Sequence, residues 1–334
     1  MLPRTQRTEA RGSRILGIGV YRPRRVVGND EAADRTGRTA EWIVRRTGIL
    51  ERRYASPDET VAGMAVDAAT KALADAGVTA AEIDMVLVAS MSDLRQSPGP
   101  APEVAHRIGS RAAAMDLNAA CAGFSYGIGL AASMVRDGTA RHVLLIGSER
   151  MTDIVDPHDP GAAFLFADGA GAVVIGPAPA GEEGIGPVVW GSDGGRGELI
   201  AHDATWTQYR DTPGAAWPAM RMAGPEVFRW AIEDMPETAR KAAAAAGVAL
   251  DDLDAFVPHQ ANLRIIDTLA ERLELPPDVA VGRDVVHSGN TSSASIPLAV
   301  SRLRELGAVG GGATALFIGF GAGLTWAAQV VTLP

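Results

Sequence analysis

The sequence predicts an α/β protein made of two related halves. Three observations carry that prediction. Short apolar runs of strand length alternate with longer runs at helical spacing, the pattern of helices packed on buried sheets. Residues 71–88 align without a gap on residues 241–258, with Lys, Ala, Gly, Val and Asp recurring in register. Cys121 and Asn290 then each open a small-residue helix that leads to an apolar strand, residues 142–147 in one case and 314–319 in the other. This is a single duplication and not an array. The expected division is a flexible polar extension over residues 1–12, a first half over 13–184 and a second over 185–334, with the Pro/Gly-rich stretch 177–186 as the linker.

The elements follow in order. Residues 14–20 read as a first strand, ended by Tyr21-Arg22-Pro23. Thr39 is a candidate N-cap for a helix starting at Ala40-Glu41-Trp42. A second helix runs through Met64, Ala68 and Leu73 and stops at Ala76-Gly77. Residues 83–89 form a buried strand, 96–100 a loop, and the next helix carries Val104 and Ile108. Residues 112–117 form a short strand ahead of Cys121, and 124–135 an apolar helix with Gly138 as its C′ residue. Strands at 142–146 and 173–175 complete the first half. The second half repeats the scheme, with a helix predicted over 291–303 after Asn290.

Composition excludes several function classes. A hydrophobic content of 47% provides a substantial core. One cysteine permits no internal disulfide and suits a reducing, cytoplasmic setting. Residues 1–12 hold no apolar signal-peptide core, so no secretory signal is expected there. No apolar run reaches the ~20 residues of a membrane span, and the best candidate, 162–175, is broken by Asp168 and glycines. A net charge of −9 argues against nucleic acid as the main partner. Against that background Arg22, Arg24, Arg25, Arg45, Arg46, Arg52 and Arg53 crowd the N-terminal region. They read either as a solvated basic face or as a docking surface for phosphates or an acidic carrier protein.

The chemistry centres on Cys121. Strand, tight turn, thiol and buried helix mount a reactive group on a rigid scaffold, and a helix start favours thiolate. Ala119, Ala120, Ala122 and Gly123 let other groups approach the sulfur. Free cysteine is also a common small buried hydrophobe, so the reading needs partners. His259 stands at a strand end behind Pro258 and reads as a base, a donor or a satisfied structural histidine. Asn290 lies among turn formers and reads as a donor or a helix N-cap. Cys, His and Asn at one centre support acyl transfer through a thioester with an enolate held by the His and Asn N–H groups, or thiol hydrolysis. No cluster has metal-ligand spacing, so neither metal nor cofactor is expected.

Six motifs carry a family resemblance. They are Glu41-Trp42-Ile43-Val44-Arg45-Arg46-Thr47-Gly48-Ile49, Asn118-Ala119-Ala120-Cys121-Ala122-Gly123-Phe124, Phe166-Ala167-Asp168-Gly169-Ala170-Gly171-Ala172, residues 257–266, Gly289-Asn290-Thr291-Ser292 and Phe320-Gly321-Ala322-Gly323. In this order, from about residue 14 to 333, the chain resembles a β-ketoacyl-[acyl carrier protein] synthase III of the thiolase fold. The resemblance implies a homodimer of αβαβα-layered subunits. It implies Cys121 as the acylated nucleophile, with His259 and Asn290 acting on decarboxylation. By position, the Cys121 and Ala322 N–H groups form the oxyanion hole and Phe320 closes the site. Alanine at 322 is compatible with that role if its φ is negative. Trp42 stacks on the coenzyme A adenine, and Arg46, Asn262, Arg264, Phe228 and Met222 line the channel. The implied substrates are acyl-CoA and malonyl-acyl carrier protein, in fatty acid initiation or polyketide priming. Acyl transfer to an O or N acceptor and a non-catalytic acyl-binding partner are the alternatives on the same scaffold. Two positions depart from the related enzymes. Pro160 replaces an arginine that covers the other adenine face, which predicts a weakened clamp. Ser97 replaces a phenylalanine that reaches into the partner's acyl pocket, which predicts a roomier one.

Overall fold

The computed structural model describes residues 12–334, so the extension expected over 1–12 lies, but for Gly12, outside the described residues. Two five-stranded mixed sheets form the frame. The first runs in the order Ser13–Tyr21, Asp168–Pro177, Val143–Arg150, Met85–Ala89, Ala113–Leu117. Its last three strands are parallel, and Asp168–Pro177 pairs antiparallel with both of its neighbours. The second runs Ala280–Val281, Ala255–Pro258, Thr314–Gly321, Thr325–Thr332, Val189–Ser192. It repeats the same sequence of two parallel and two antiparallel pairings. Met85–Ala89 and Ala255–Pro258 hold equivalent places, as the internal repeat requires.

Helices make three further layers. Val61–Ala76 covers the outer face of the first sheet through Met64, Ala68 and Ala72. Gly123–Asp137 and Ser295–Glu305 lie between the sheets, in a core shared with Leu145 and Val173 of one sheet and Val257 and Phe317 of the other. Gly224–Ala245 and Leu263–Arg272 cover the outer face of the second sheet with Trp230, Ala239 and Ile266. The five layers give the predicted thiolase-type α/β architecture.

The sequence signals locate most boundaries. The Thr39 side chain caps Ala40–Thr47 by accepting from the Trp42 N–H, and Gly77 and Gly138 end their helices in the left-handed conformation. On the central helix Phe124, Ile128 and Val135 are buried. Burial of each such side chain contributes about 1.5–3 kcal/mol. Two details differ from the prediction. Cys121 sits in a 3-10 turn, Ala120–Ala122, with the α-helix starting at Gly123. The stretch after Asn290 is likewise a 3-10 turn, Ser292–Ala294, before the helix Ser295–Glu305.

The predicted basic face also divides. Arg52 is wholly buried and donates to Asn29 Oδ1 at 2.7 Å and the Phe164 carbonyl at 3.1 Å. Arg22, Arg24 and Arg25 are paired with Asp284, Asp58 and Glu31. Arg53 donates to the Pro23 carbonyl. Neighbouring carboxylates pair with Arg22, Arg24 and Arg25, and neutral acceptors hold Arg52 and Arg53, which a count of arginines in the sequence does not reveal.

Candidate active site

The site forms where parallel strands end, the usual place for ligands in α/β sheets. Cys121 follows the strand Ala113–Leu117, and His259 follows Ala255–Pro258. Asn290 is fixed through its backbone: its N–H donates to the Leu165 carbonyl at 2.8 Å, and its carbonyl accepts from Ala167 N–H at 2.9 Å. All three residues line one cavity, together with Met91, Phe166, Phe320 and Ala322.

Cys121 is buried, and two backbone positions beside it are strained. Ala120 has φ 46° and Ser292 has φ 50°, in the left-handed region that non-glycine residues avoid. Gly321 packs directly on Cys121: a Cβ there would lie 2.7 Å from Cys121 Cβ and 3.0 Å from Sγ. Burial pushes the thiol up to about 12, the adjacent Glu149 charge adds to the rise, and Ser292 opposes it. The resting sulfur is therefore a thiol, contrary to the thiolate expected from a helix start. The dipole of a helix beginning two residues later does not offset complete desolvation.

His259 shares this environment. Burial pushes its imidazole down to about 3, so it is neutral at ordinary pH. Its tautomer follows from Ser295. The Ser295 Oγ accepts from the Gln260 N–H at 3.3 Å, and His259 Nδ1 at 2.8 Å is the acceptor within reach of its proton among the described residues. Nε2 then carries the hydrogen, available to a ligand oxygen in the cavity. Asn290 is oriented in the same way. Its Oδ1 accepts from the Ser292 N–H at 2.9 Å, and one Nδ2 hydrogen goes to the Ala261 carbonyl at 3.4 Å, leaving the other free. The N-cap of the following 3-10 turn is Thr291 and not Asn290, whose Oδ1 closes a local turn instead. A neutral His donor and an amide donor can hold an oxyanion.

Phe320 is buried edge-on to the His259 ring, with centroids 5.4 Å apart. Ala322 does not have a positive φ, so alanine meets the condition set for its backbone donor. Outside the cavity lies a cleft of about 940 Å³ lined by Trp42, Arg46, Met222, Phe228, Asn262 and Arg264. Met222 borders both spaces and joins them. Asn262 has a second task, capping Leu263–Arg272 by accepting from the Ile265 N–H at 3.0 Å. Ser97 is exposed and borders neither space within this chain.

Four residues had no role in the sequence reading. Ser292 stood in a quoted motif and Ser295 in the predicted helix after it, but only the fold brings Ser292 beside Cys121 and the Ser295 hydroxyl to His259. Gly321 looked like an ordinary turn glycine. Arg38 lies 4.6 Å above the Trp42 ring and donates to the Pro160 carbonyl at 3.2 Å. A cation four residues before Trp42 was its only signal, and its place ahead of the Thr39 cap, outside the helix Ala40–Thr47, hid the contact.

Comparisons with known proteins agree over the whole chain. Residues 115–194 match the family model described as 3-oxoacyl-[acyl-carrier-protein (ACP)] synthase III, and residues 243–333 match its C-terminal model. A beta-ketoacyl-[acyl-carrier-protein] synthase III of Streptomyces glaucescens is 50% identical over 323 residues, covering 96% of each chain. Among solved structures, the priming β-ketosynthase of the R1128 polyketide biosynthetic pathway superposes with a TM-score of 0.96 at 50% identity, covering 99% of each chain. The 3-oxoacyl-(acyl carrier protein) synthase III of Pseudomonas aeruginosa PAO1 gives 0.88 at 35% identity, over 97% of this chain and 99% of that one.

Proposed function

The chain belongs to the β-ketoacyl-[acyl-carrier-protein] synthase III family of condensing enzymes, and from that premise we propose how its own residues carry the reaction. An acyl-CoA enters the cleft beside Trp42, and its acyl thioester reaches the inner cavity past Met222. Cys121 attacks the thioester carbonyl while its own N–H and that of Ala322 hold the oxyanion, and CoA leaves. Malonyl-acyl carrier protein follows and loses CO2, with the enolate oxygen on His259 Nε2–H and Asn290 Nδ2–H. The carbanion attacks the Cys121 thioester and releases a β-ketoacyl-carrier protein, which starts a fatty acid or polyketide chain. Coenzyme A takes part as substrate, with no resident cofactor. The observation that carries this reading is the convergence of Cys121, His259 and Asn290 on one cavity from three separate segments. Intact-mass measurement after mixing with acyl-CoA and then malonyl-carrier protein tests it: an acyl adduct must form on Cys121 and then disappear into product.

We also propose a cytoplasmic homodimer divided at residues 184/185. No helix among the described residues is long and apolar enough to cross a membrane. In support of a dimer, Ala113–Leu117 is an edge strand of the first sheet, with Met115 42% exposed. Continuing the sheet into a second copy would cover that edge. The loop bearing Ser97 packs beside it, since Ala101 N–H donates to Asp116 Oδ1 at 2.9 Å. Ser97 can thus reach a partner's cavity and not its own. Serine in place of phenylalanine leaves space there, worth roughly 0.8 kcal/mol, or about fourfold, for each added buried CH2 of the primer. Propionyl-, butyryl- and isobutyryl-CoA should exceed acetyl-CoA in kcat/KM, and Ser97→Phe should reverse the order. An unchanged order in that variant contradicts the assignment.

Arg38 revises the expectation attached to Pro160. A guanidinium covers the Trp42 face, bound to the Pro160 carbonyl, and by moving off the ring it would admit adenine between itself and Trp42. A cation–π contact of about 0.5–2 kcal/mol corresponds to a two- to thirtyfold weaker Kd for CoA on Arg38→Ala. Titration calorimetry with CoA checks this; an unaltered Kd places the adenine elsewhere.

A further inference from the structure

Glu149 is wholly buried beside the site, and no step above uses it. Its Oε2 accepts from Ser92 Oγ at 2.5 Å, Ser90 Oγ at 3.1 Å and Met91 N–H at 3.1 Å. Its Oε1 accepts from Ser293 Oγ at 2.8 Å, Ser292 Oγ at 3.0 Å and Ser293 N–H at 3.4 Å. Burial pushes Glu149 toward its protonated form, while the hydrogen bonds it accepts, one on each oxygen from a backbone N–H, favour the carboxylate. Two residues back on the same strand, Gly147 lets the Asn290 loop come this close: a Cβ there would sit 2.4 Å from the Ser293 carbonyl oxygen. The Ser292 hydroxyl donates to Glu149 Oε1 from the turn Ser292–Ala294, which packs against the turn Ala120–Ala122 that carries Cys121, and its influence lowers the thiol.

The charges around this group are few. Cys121 is the titratable side chain that feels Glu149, and burial pushes both acids toward their protonated forms. The adjacent Arg150, on the opposite face of the strand, pairs with Asp153 at 3.3 Å. The serines contribute no charge.

We propose that Glu149 is the proton acceptor for the Cys121 thiol, reached through the Ser292 hydroxyl. The inference rests on the reading of Cys121 as the acylated nucleophile. As the thiol gives its proton to Ser292 Oγ, the Ser292 proton passes to Glu149 Oε1. The thiolate then attacks the acyl-CoA carbonyl, the C–S bond to CoA breaks, and the CoA thiolate takes its proton from solvent. The acyl-enzyme holds Glu149 as a neutral acid. When the carbanion displaces the Cys121 thiolate, the proton returns by the same hydroxyl. Over one cycle, acyl-CoA, malonyl-carrier protein and one proton give CoA, CO2 and β-ketoacyl-carrier protein.

The physical advantage is that charge migrates within a dry site and is not created there. Proton transfer to Glu149 keeps one negative charge among the same hydroxyls. Transfer to His259 would add an imidazolium and a thiolate to a site already holding the Glu149 charge, at a high desolvation cost.

The test is single-turnover acylation by butyryl-CoA, followed by intact mass. In the wild type the resting and reacting forms hold the same number of protons, so the rate is flat between about pH 7 and 9. In Glu149→Gln the reacting form has lost a proton, so the rate rises about tenfold per pH unit and lies about 10²-fold below wild type at pH 7. A flat profile in that variant identifies another acceptor and overturns the proposal. Ser292→Ala keeps the five other donors to Glu149 and should acylate about tenfold or more slowly. A wild-type rate there overturns the relay, and this variant decides alone if Glu149→Gln does not fold. Decarboxylation of malonyl-carrier protein separates chemistry from scaffolding. Acylation should lose at least about tenfold more than decarboxylation, and equal losses make Glu149 a clamp only. A wild type that forms no Cys121 adduct is instead a failure of the parent reading, seen before any variant is made.

Discussion

Cys121→Ala forms no acyl-enzyme and makes no β-ketoacyl product at any acyl-CoA concentration. The sulfur is the one group in the inner cavity able to carry an acyl group as a thioester, and nothing beside it can substitute. Gly321 leaves no side chain there, and Ala322 contributes a backbone donor. The fold should survive, because the exchange removes one atom from a buried turn held by its own backbone. Circular dichroism and a Tm within a few degrees of wild type check that. The same variant should still decarboxylate malonyl-carrier protein, since the His259 and Asn290 donors are set by Ser295 and Ser292 and not by the thiol. Residual condensation at the wild-type rate would place the nucleophile elsewhere.

The second large effect divides the two half-reactions. Removing one oxyanion donor costs a factor of about 10² to 10³. Asn290→Ala and His259→Ala should lose that much in CO2 release from malonyl-carrier protein. Acylation of Cys121 should change far less. Because burial holds His259 at about 3, far below its ordinary value of 6.5, the imidazole is uncharged throughout the neutral range. Wild-type decarboxylation should therefore show no step from histidine titration between about pH 5 and 8. A step near pH 6.5, carried by His259 and lost in His259→Ala, would mean a solvated imidazole and a different role.

Much of this was legible in the sequence because the determinants are local or repeated. The in-register match of residues 71–88 with 241–258 announced two related α/β halves, and the structure shows two sheets of the same pairing order. Thr39, Gly77 and Gly138 marked helix ends because their chemistry acts within one turn of the chain. Burial and long-range contact were not legible. A helix start argued for a thiolate at Cys121, but desolvation by segments hundreds of residues away reverses the sign. Arg52 looked like part of a basic face and is in the core. Glu149 carried no motif, and its six donors come from two loops that only the tertiary fold joins. Arg38 stayed hidden because it precedes the Thr39 cap and lies outside the helix that carries Trp42.

The most direct test of the account is a pulse–chase on Asn290→Ala beside the wild type, with butyryl-CoA as the pulse, malonyl-carrier protein as the chase, and peptide mass mapping as the readout. The account predicts a butyryl adduct on Cys121 in both proteins at similar rates, discharged promptly by the wild type and about 10²-fold more slowly by the variant. An adduct on any other residue, or equal discharge by the two proteins, would contradict it.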